Sequence, residues 1–542
     1  MANAVVIGSG PNGLVAANLL ADAGWAPVVL EAQEEPGGAV RSAEVTAPGF
    51  RSDLFSAFYP LGYASPVIRS LDLAPHGLRW RHAPLVLAHP LADGRCAALS
   101  RDVTETAAFL EEFAPGDGQR WQELHAAWER LREPLLDALF SPFPPVSDAA
   151  RIAARLGPAD AVRLLRFLLL PVRRMSEESF HGEGGGLLLA GNALHTDLGP
   201  EQSPSGAYGW LLAMLGQSVG YPVPEGGAGA LTAALVRRLE SRGGQVRCGT
   251  RVTDVVVRGG RAVAVRAADG TEYDASRAVL ADVDAPTLFT RLVAPEALPS
   301  RLLHDLRLFQ WDNATVKVDW ALSAPIPWTA EPARRAGTVH VGGDMDALSD
   351  HAHALALGRL PHDPFLIVGQ MTTADPSRSP AGTESAWAYS HVPQTISRGA
   401  AIAGNREAAP GWDAAESERY VERMEAAVER LAPGFRDLIL ARYVQGPGAL
   451  QDANASLVGG AVNGGTAALH QQLIFRPLPG FGRAETPVAG LFLASSSAHP
   501  GGGVHGGPGA IAAAAALRQH GLRGRVARGA IRTVWRDRRP QR

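Results

Sequence analysis

Gly8-Ser9-Gly10-Pro11-Asn12-Gly13 stands between a short apolar run, Ala4 to Ile7, and an Ala-rich apolar segment, Leu14 to Ala23, and its reading decides the fold. A second apolar run, Pro27 to Leu30, follows, so the first thirty residues read as strand, glycine turn, helix, strand. That is the βαβ unit of a dinucleotide-binding sheet. In the GxGxxG spacing Gly8 permits the tight turn, Gly10 lets the backbone reach a pyrophosphate, and Gly13 lets helix and strand pack closely. The helix N-terminus adds NH groups and partial positive charge. Glu31, 18 positions beyond Gly13, ends the second strand and is the acceptor for ribose hydroxyls, with Ala32 beside it. The fingerprint alone does not separate NAD from FAD.

Around this unit the chain is long and globular in composition. Its 542 residues suffice for several domain-sized units, and 46% hydrophobic with 19% charged residues excludes wholesale disorder. A net charge of −3 supplies no basic field for nucleic acid. Cys96 and Cys248 stand apart from each other and from any cluster at metal-ligand spacing, so neither a disulfide framework nor a zinc site is expected, and a reducing, cytoplasmic compartment suits them. No basic region precedes an apolar stretch at the N-terminus and no run approaches about 18 apolar residues, so neither a signal peptide nor a membrane span is expected.

A second loop, Glu35-Pro36-Gly37-Gly38-Ala39-Val40-Arg41, follows the fingerprint, and its paired glycines allow another close backbone approach. Together the two loops resemble the N-terminal signature of the large two-domain flavoproteins that include monoamine oxidases and phytoene dehydrogenases. Two further segments draw the resemblance toward the phytoene dehydrogenase-like oxidoreductases: Tyr221-Pro222-Val223-Pro224-Glu225-Gly226-Gly227, and the stretch from Leu493 to Val504, which contains His499-Pro500-Gly501-Gly502-Gly503. The resemblance implies an α/β fold with a discontinuous Rossmann-like FAD-binding domain, built from about residues 1–70, 222–300 and 455–520. A mixed α+β substrate domain takes residues 71–221 and 301–454, and 521–542 form a basic tail. It implies FAD as cofactor, with Gly8, Ser9, Gly10, Pro11, Asn12, Gly13, Glu31, Ala32, Gly37, Gly38, Ala39 and Arg41 in the two loops. Val252 is placed at the adenine, Ser495 near the pyrophosphate where the family usually has glycine, and Gly502, Gly503, Val504, Gly506 and Gly507 along the isoalloxazine ring.

Lys317 is the only lysine in a chain otherwise served by arginine, and it sits on an alternating strand pattern, Ala314 to Trp320. A compact ammonium is not interchangeable with a planar guanidinium, so its solitude marks a site that arginine does not fill. In the amine oxidases the chain resembles, a lysine on a similar strand holds a water near flavin N5. His499, His505 and His195 are the histidines nearest to the glycine-rich segments and are candidate proton acceptors. The stretch from Asp72 to about Gly220 reads as mostly helical, and its apolar run Leu164 to Leu170 suits a lipophilic substrate. The arginines from Arg523 to Arg539, interleaved with Val526, Ile531, Val534 and Trp535, suit an anionic membrane surface or a solvated docking helix.

The resemblance implies FAD-dependent desaturation of an apolar polyene, isoprenoid or alicyclic small molecule by hydride transfer to flavin; the electron acceptor stays open, with oxygen and a quinone as candidates. Amine oxidation, redox-neutral flavin-dependent isomerisation and a non-catalytic binding role of the same fold are the alternatives.

Overall fold

The computed structural model describes residues 3–395 and 412–519. The basic tail at 521–542 lies outside the described residues.

A five-stranded parallel sheet carries the N-terminal unit. Its order is Leu491–Leu493, Ala278–Ala281, Ala4–Ile7, Pro27–Leu30 and Gln245–Arg247, so strands from distant parts of the chain meet side by side. Four of the five strands are buried along their whole length, which is why they read as unbroken apolar runs and not as alternations. The helix Pro11–Asp22 begins directly after the glycine turn with proline in its first turn, and packs against the helices Gly229–Ser241 and Gly507–Arg518. A three-stranded antiparallel sheet, Val252–Arg258, Arg261–Ala267 and Glu272–Asp274, precedes the return to Ala278–Ala281.

A second, seven-stranded sheet has the order Ile439–Gln445, Ala314–Leu322, Glu384–Val392, Leu366–Gln370, Ala336–Val341, Leu85–Pro90 and Cys96–Leu99. Along Ala314–Leu322 the side chains alternate between its faces. Val316, Val318, Trp320 and Leu322 pack with Tyr420, Val421, Met424 and Val428 of the helix Ala414–Leu431. On the other face Ile367 and Trp387 join a core with Leu187 and Met214 from the helices Gly184–Leu194 and Ser205–Val219.

The stretch 72–220 is mostly helical, as expected, and also contributes two strands, Leu85–Pro90 and Cys96–Leu99, to the seven-stranded sheet, the first paired in parallel with Ala336–Val341. One expectation needs correction. The apolar run Leu164 to Leu170 does not line a cavity. It ends the amphipathic helix Pro158–Leu169, whose Phe167 and Leu168 pack on the core while Val162, Leu165 and Leu169 are exposed. Among the described residues no helix is long and apolar enough to cross a membrane, and no group of His, Cys, Asp and Glu is arranged to hold a metal ion.

Candidate active site

A cavity of about 470 Å³ starts at the glycine turn of the parallel sheet and ends on the open face of the seven-stranded sheet. The turn is built by close approach. A Cβ on Gly13 would lie 2.3 Å from the Gly8 carbonyl oxygen, and one on Gly10 would lie 2.5 Å from the Asp282 carboxylate, so neither position admits a side chain. Glu31, buried beside the turn, accepts hydrogen bonds from the Ser9 backbone NH at 2.9 Å, the Ser9 hydroxyl at 2.6 Å and the Gln33 NH at 2.9 Å. These three donors fix the carboxylate at the mouth of the loop before any ligand reaches it.

Asp282 was not visible in the sequence. It follows the strand Ala278–Ala281, and its carboxylate accepts from the Gly13 NH at 2.8 Å, at the N-terminal end of the first helix. Burial pushes its pKa up to about 7, with the Gly13 NH acting against that rise and the Glu31 charge adding to it.

Of the residues expected at the cofactor, Gly8, Gly10, Pro11, Asn12, Glu31, Ala32, Gly38, Ala39, Arg41, Val252, Gly502, Gly503 and Val504 line the cavity. Arg41 is held by the carbonyls of Gly38 and Ala453. Ser9, Gly13 and Gly37 stand one layer behind, Ser9 gripping Glu31 and accepting from the Gly37 NH. Three expectations are not met. Ser495 is buried away from the cavity, its hydroxyl accepting from the Ser497 NH, and it is Ser496 that lines the space. Gly506 and Gly507 serve the start of the last helix, Gly506 capping it at φ +73°.

His499 and His505 are not brought to the cavity. His499 is paired through Nε2 with the Ser141 carbonyl at 3.1 Å, and His505 accepts the Gly507 NH on Nδ1 while Nε2 meets the Gly502 carbonyl. Burial lowers both to about 4, so each is a neutral ring bracing the glycine loop, and the geometry gives neither a role on reacting atoms. Lys317 does line the cavity, and it is buried. Its ammonium donates to Asp319 two residues along the same strand, and it lies 6.0 Å from the centroid of the Trp387 ring. Burial raises the Asp319 pKa, and the Lys317 charge opposes that rise.

The far wall combines Ala57, Phe58, Leu61, Leu212, Ile367 and Trp387 with His195, Thr196, Thr338 and Tyr389. Of these the sequence pointed to His195 alone. The Trp387 and Tyr389 rings stack with an interplanar angle of 19°, side by side along one strand.

A glycine turn that feeds a helix N-terminus, an acceptor carboxylate at the next strand end, and a cavity that continues onto a second sheet define a flavin-dependent oxidoreductase. The family of flavin containing amine oxidoreductases matches residues 12–318, more than half of the chain, and the protein belongs to that family. Over the whole length it is similar to the mouse pyridine nucleotide-disulfide oxidoreductase domain-containing protein 2, 28% identical with 95% of this chain and 93% of that protein covered. It is also similar to the neurosporene-forming phytoene desaturase of Rhodobacter capsulatus, 25% identical with 93% and 91% covered. An oxidoreductase structure from Methanosarcina mazei shares the fold, with a TM-score of 0.62 and 16% identity over 95% of this chain and 99% of that one. The chain is thus an FAD-dependent oxidoreductase of two-domain flavoprotein fold, and the cradle at Gly10 and Gly13 with the restrained Glu31 carboxylate suits that cofactor.

Proposed function

We propose that the protein desaturates a largely apolar polyene, isoprenoid or alicyclic molecule. The observation that carries this reading is the continuity of the cavity: the same space reaches from the glycine turn to a wall of Phe58, Leu61, Leu212, Ile367 and Trp387. A phytoene desaturase among the relatives supports the substrate class. Amine oxidation is less well served, because Trp387 and Tyr389 stand two apart on one strand and do not face each other across the cavity as a cage would require.

Bound FAD would supply the acceptor for a hydride leaving the substrate, and the proton lost with it would pass to water. The chain's own residues supply binding, orientation and proton placement. Gly8, Gly10 and the NH groups opening the helix Pro11–Asp22 would hold the pyrophosphate, Glu31 the ribose, the Val252 backbone the adenine, and Gly502 to Val504 the ring. On this reading residues 1–70, 222–300 and 455–520 form the nucleotide domain. Lys317, whose ammonium donates to Asp319, stands at the cavity floor, where it would position a water or a proton of the substrate.

The test is anaerobic mixing of purified yellow protein with polyene and cyclic terpene hydrocarbons. Bleaching of the flavin with a product two hydrogens lighter supports desaturation. A product of unchanged mass without net bleaching replaces it with isomerisation. Bleaching by amines alone replaces it with amine oxidation, and colourless protein that takes up no added FAD overturns the enzymatic reading.

A further inference from the structure

The open face of the seven-stranded sheet is polar at a place where hydrocarbon desaturation has no use for polarity. Register across the sheet pairs Lys317 with Tyr389, Tyr389 with Ile367, and Ile367 with His340. His340 therefore stands three strand spacings, roughly 14 Å, from Lys317 along the sheet. Thr338, two residues before His340 on the same strand and on the same face, lines the cavity, and its buried hydroxyl has no hydrogen-bond partner among the described residues. Above the sheet His195, at the end of the helix Gly184–Leu194, also lines the cavity, and its Nε2 lies 2.9 Å from the Nε2 of His340.

That contact fixes where the protons are. Burial lowers the pKa of His195 to about 3 and that of His340 well below the usual value, so both rings are neutral and one Nε2 donates to the other. The His340 Nδ1 is buried without a partner among the described residues, pressed so closely on the helix that a Cβ on Gly191 would lie 2.1 Å from it. A buried N–H without an acceptor costs more than a buried lone pair without a donor, so His340 carries its proton on Nε2 and gives it to His195. His195 must then carry its own proton on Nδ1, the ring nitrogen that His340 leaves free for the cavity.

We propose that His195, oriented by His340, and Thr338 form a hydrogen-bonding end of the cavity that takes an acceptor oxygen of the substrate, a carbonyl or hydroxyl, some three strands away from Lys317. The substrate is then an apolar molecule with one oxygenated end, and His195 and Thr338 are specificity-determining residues. The inference rests on the reading of this cavity as the substrate site and narrows its substrate class.

The experiment uses the full-length flavin-loaded protein, with 4-phenyl-2-butanone and butylbenzene as probes, their binding followed by perturbation of the flavin absorption band. A carbonyl entering an apolar cavity loses its hydrogen bonds to water, so without a donor the hydrocarbon binds more tightly. The expected result is a preference for the ketone of about tenfold, the upper range for one net hydrogen bond. His195→Leu and the isosteric Thr338→Val should each cut that preference by about threefold or more while butylbenzene affinity stays within about twofold. Should His195→Leu fail to fold, Thr338→Val alone decides. Equal or tighter binding of butylbenzene by the unaltered protein, or a ketone preference that survives the substitutions, overturns the inference. A protein without a flavin band before any probe is added instead overturns the reading of the site on which it rests.

Discussion

Removing the ammonium of Lys317 takes the nearest cation from the buried Asp319 carboxylate and leaves the weaker influence of Arg378. Lys317→Met should keep its FAD, whose contacts come from other loops, while flavin reduction or reoxidation slows by roughly 10²- to 10⁴-fold, as for other positioned proton-transfer groups. Stopped-flow half-reactions measure this, and Lys317→Arg should not restore the rate, because a guanidinium is too broad for the space shared with Asp319 and Trp387. A pH signature goes with it. In Lys317→Met the largest charge opposing the raised Asp319 pKa is gone and Arg378 alone still opposes it, so the folded variant holds that proton to higher pH than the unfolded chain does. Its melting temperature relative to the unaltered protein should therefore fall as pH rises from 5 to 8. Asp282 follows the same sign: with its pKa raised from 3.8 to about 7, it withdraws stability as pH climbs through that window. Asp282→Asn, which keeps an acceptor for the Gly13 NH, should flatten the wild-type decline in thermal melts between pH 4 and 7. Glu31 was legible because its distance from the glycines is set by one short helix and one strand. Asp282 reaches Gly13 from 269 residues away, and His195 meets His340 across 145, separations at which spacing carries no information.

Among the elements, the crossing of the first and last helices leaves least room for change. A Cβ on Gly509 would lie 2.0 Å from the Asn12 carbonyl oxygen. Gly509→Ala should lower the denaturant midpoint by the equivalent of about 1–3 kcal/mol, the usual cost of overpacking, and should loosen FAD, since Asn12 lines the cavity. Unfolding curves and the flavin retained on gel filtration check both outcomes. Elements whose own periodicity or punctuation suffices were readable: the Ala414–Leu431 helix has the bounds its sequence pattern gives, and the Arg261–Ala267 strand follows its Gly259-Gly260 turn. Leu85–Pro90 and Cys96–Leu99 were not. Both are short apolar runs, and the first becomes a strand by pairing with Ala336–Val341, some 250 positions later. Likewise Trp387 and Tyr389 stand two apart on the strand Glu384–Val392, but which face of it meets a cavity depends on its pairing with Ala314–Leu322, far upstream.

For the whole molecule, the cavity is lined from both large sheets, so a ligand held there bears on the cohesion of the entire chain. Adding FAD to deflavinated protein should raise the melting temperature progressively, each tenfold excess over the dissociation constant adding about 1.4 kcal/mol, as read by differential scanning calorimetry. A melting temperature indifferent to FAD would mean that the folded cavity does not bind it. The placement of Leu491–Leu493 beside Ala278–Ala281, with Gly507–Arg518 resting on Pro11–Asp22, also sets a timetable for biosynthesis. The glycine turn leaves the ribosome well before the strand Leu491–Leu493 and the helix Gly507–Arg518 that close it. At roughly 5–20 residues per second the nascent chain therefore spends about half a minute or more with its nucleotide cleft unroofed. Cofactor capture is in consequence a post-translational event, and ribosome-bound chains stalled before Leu491 should emerge colourless from FAD-containing translation extracts while released chains emerge yellow.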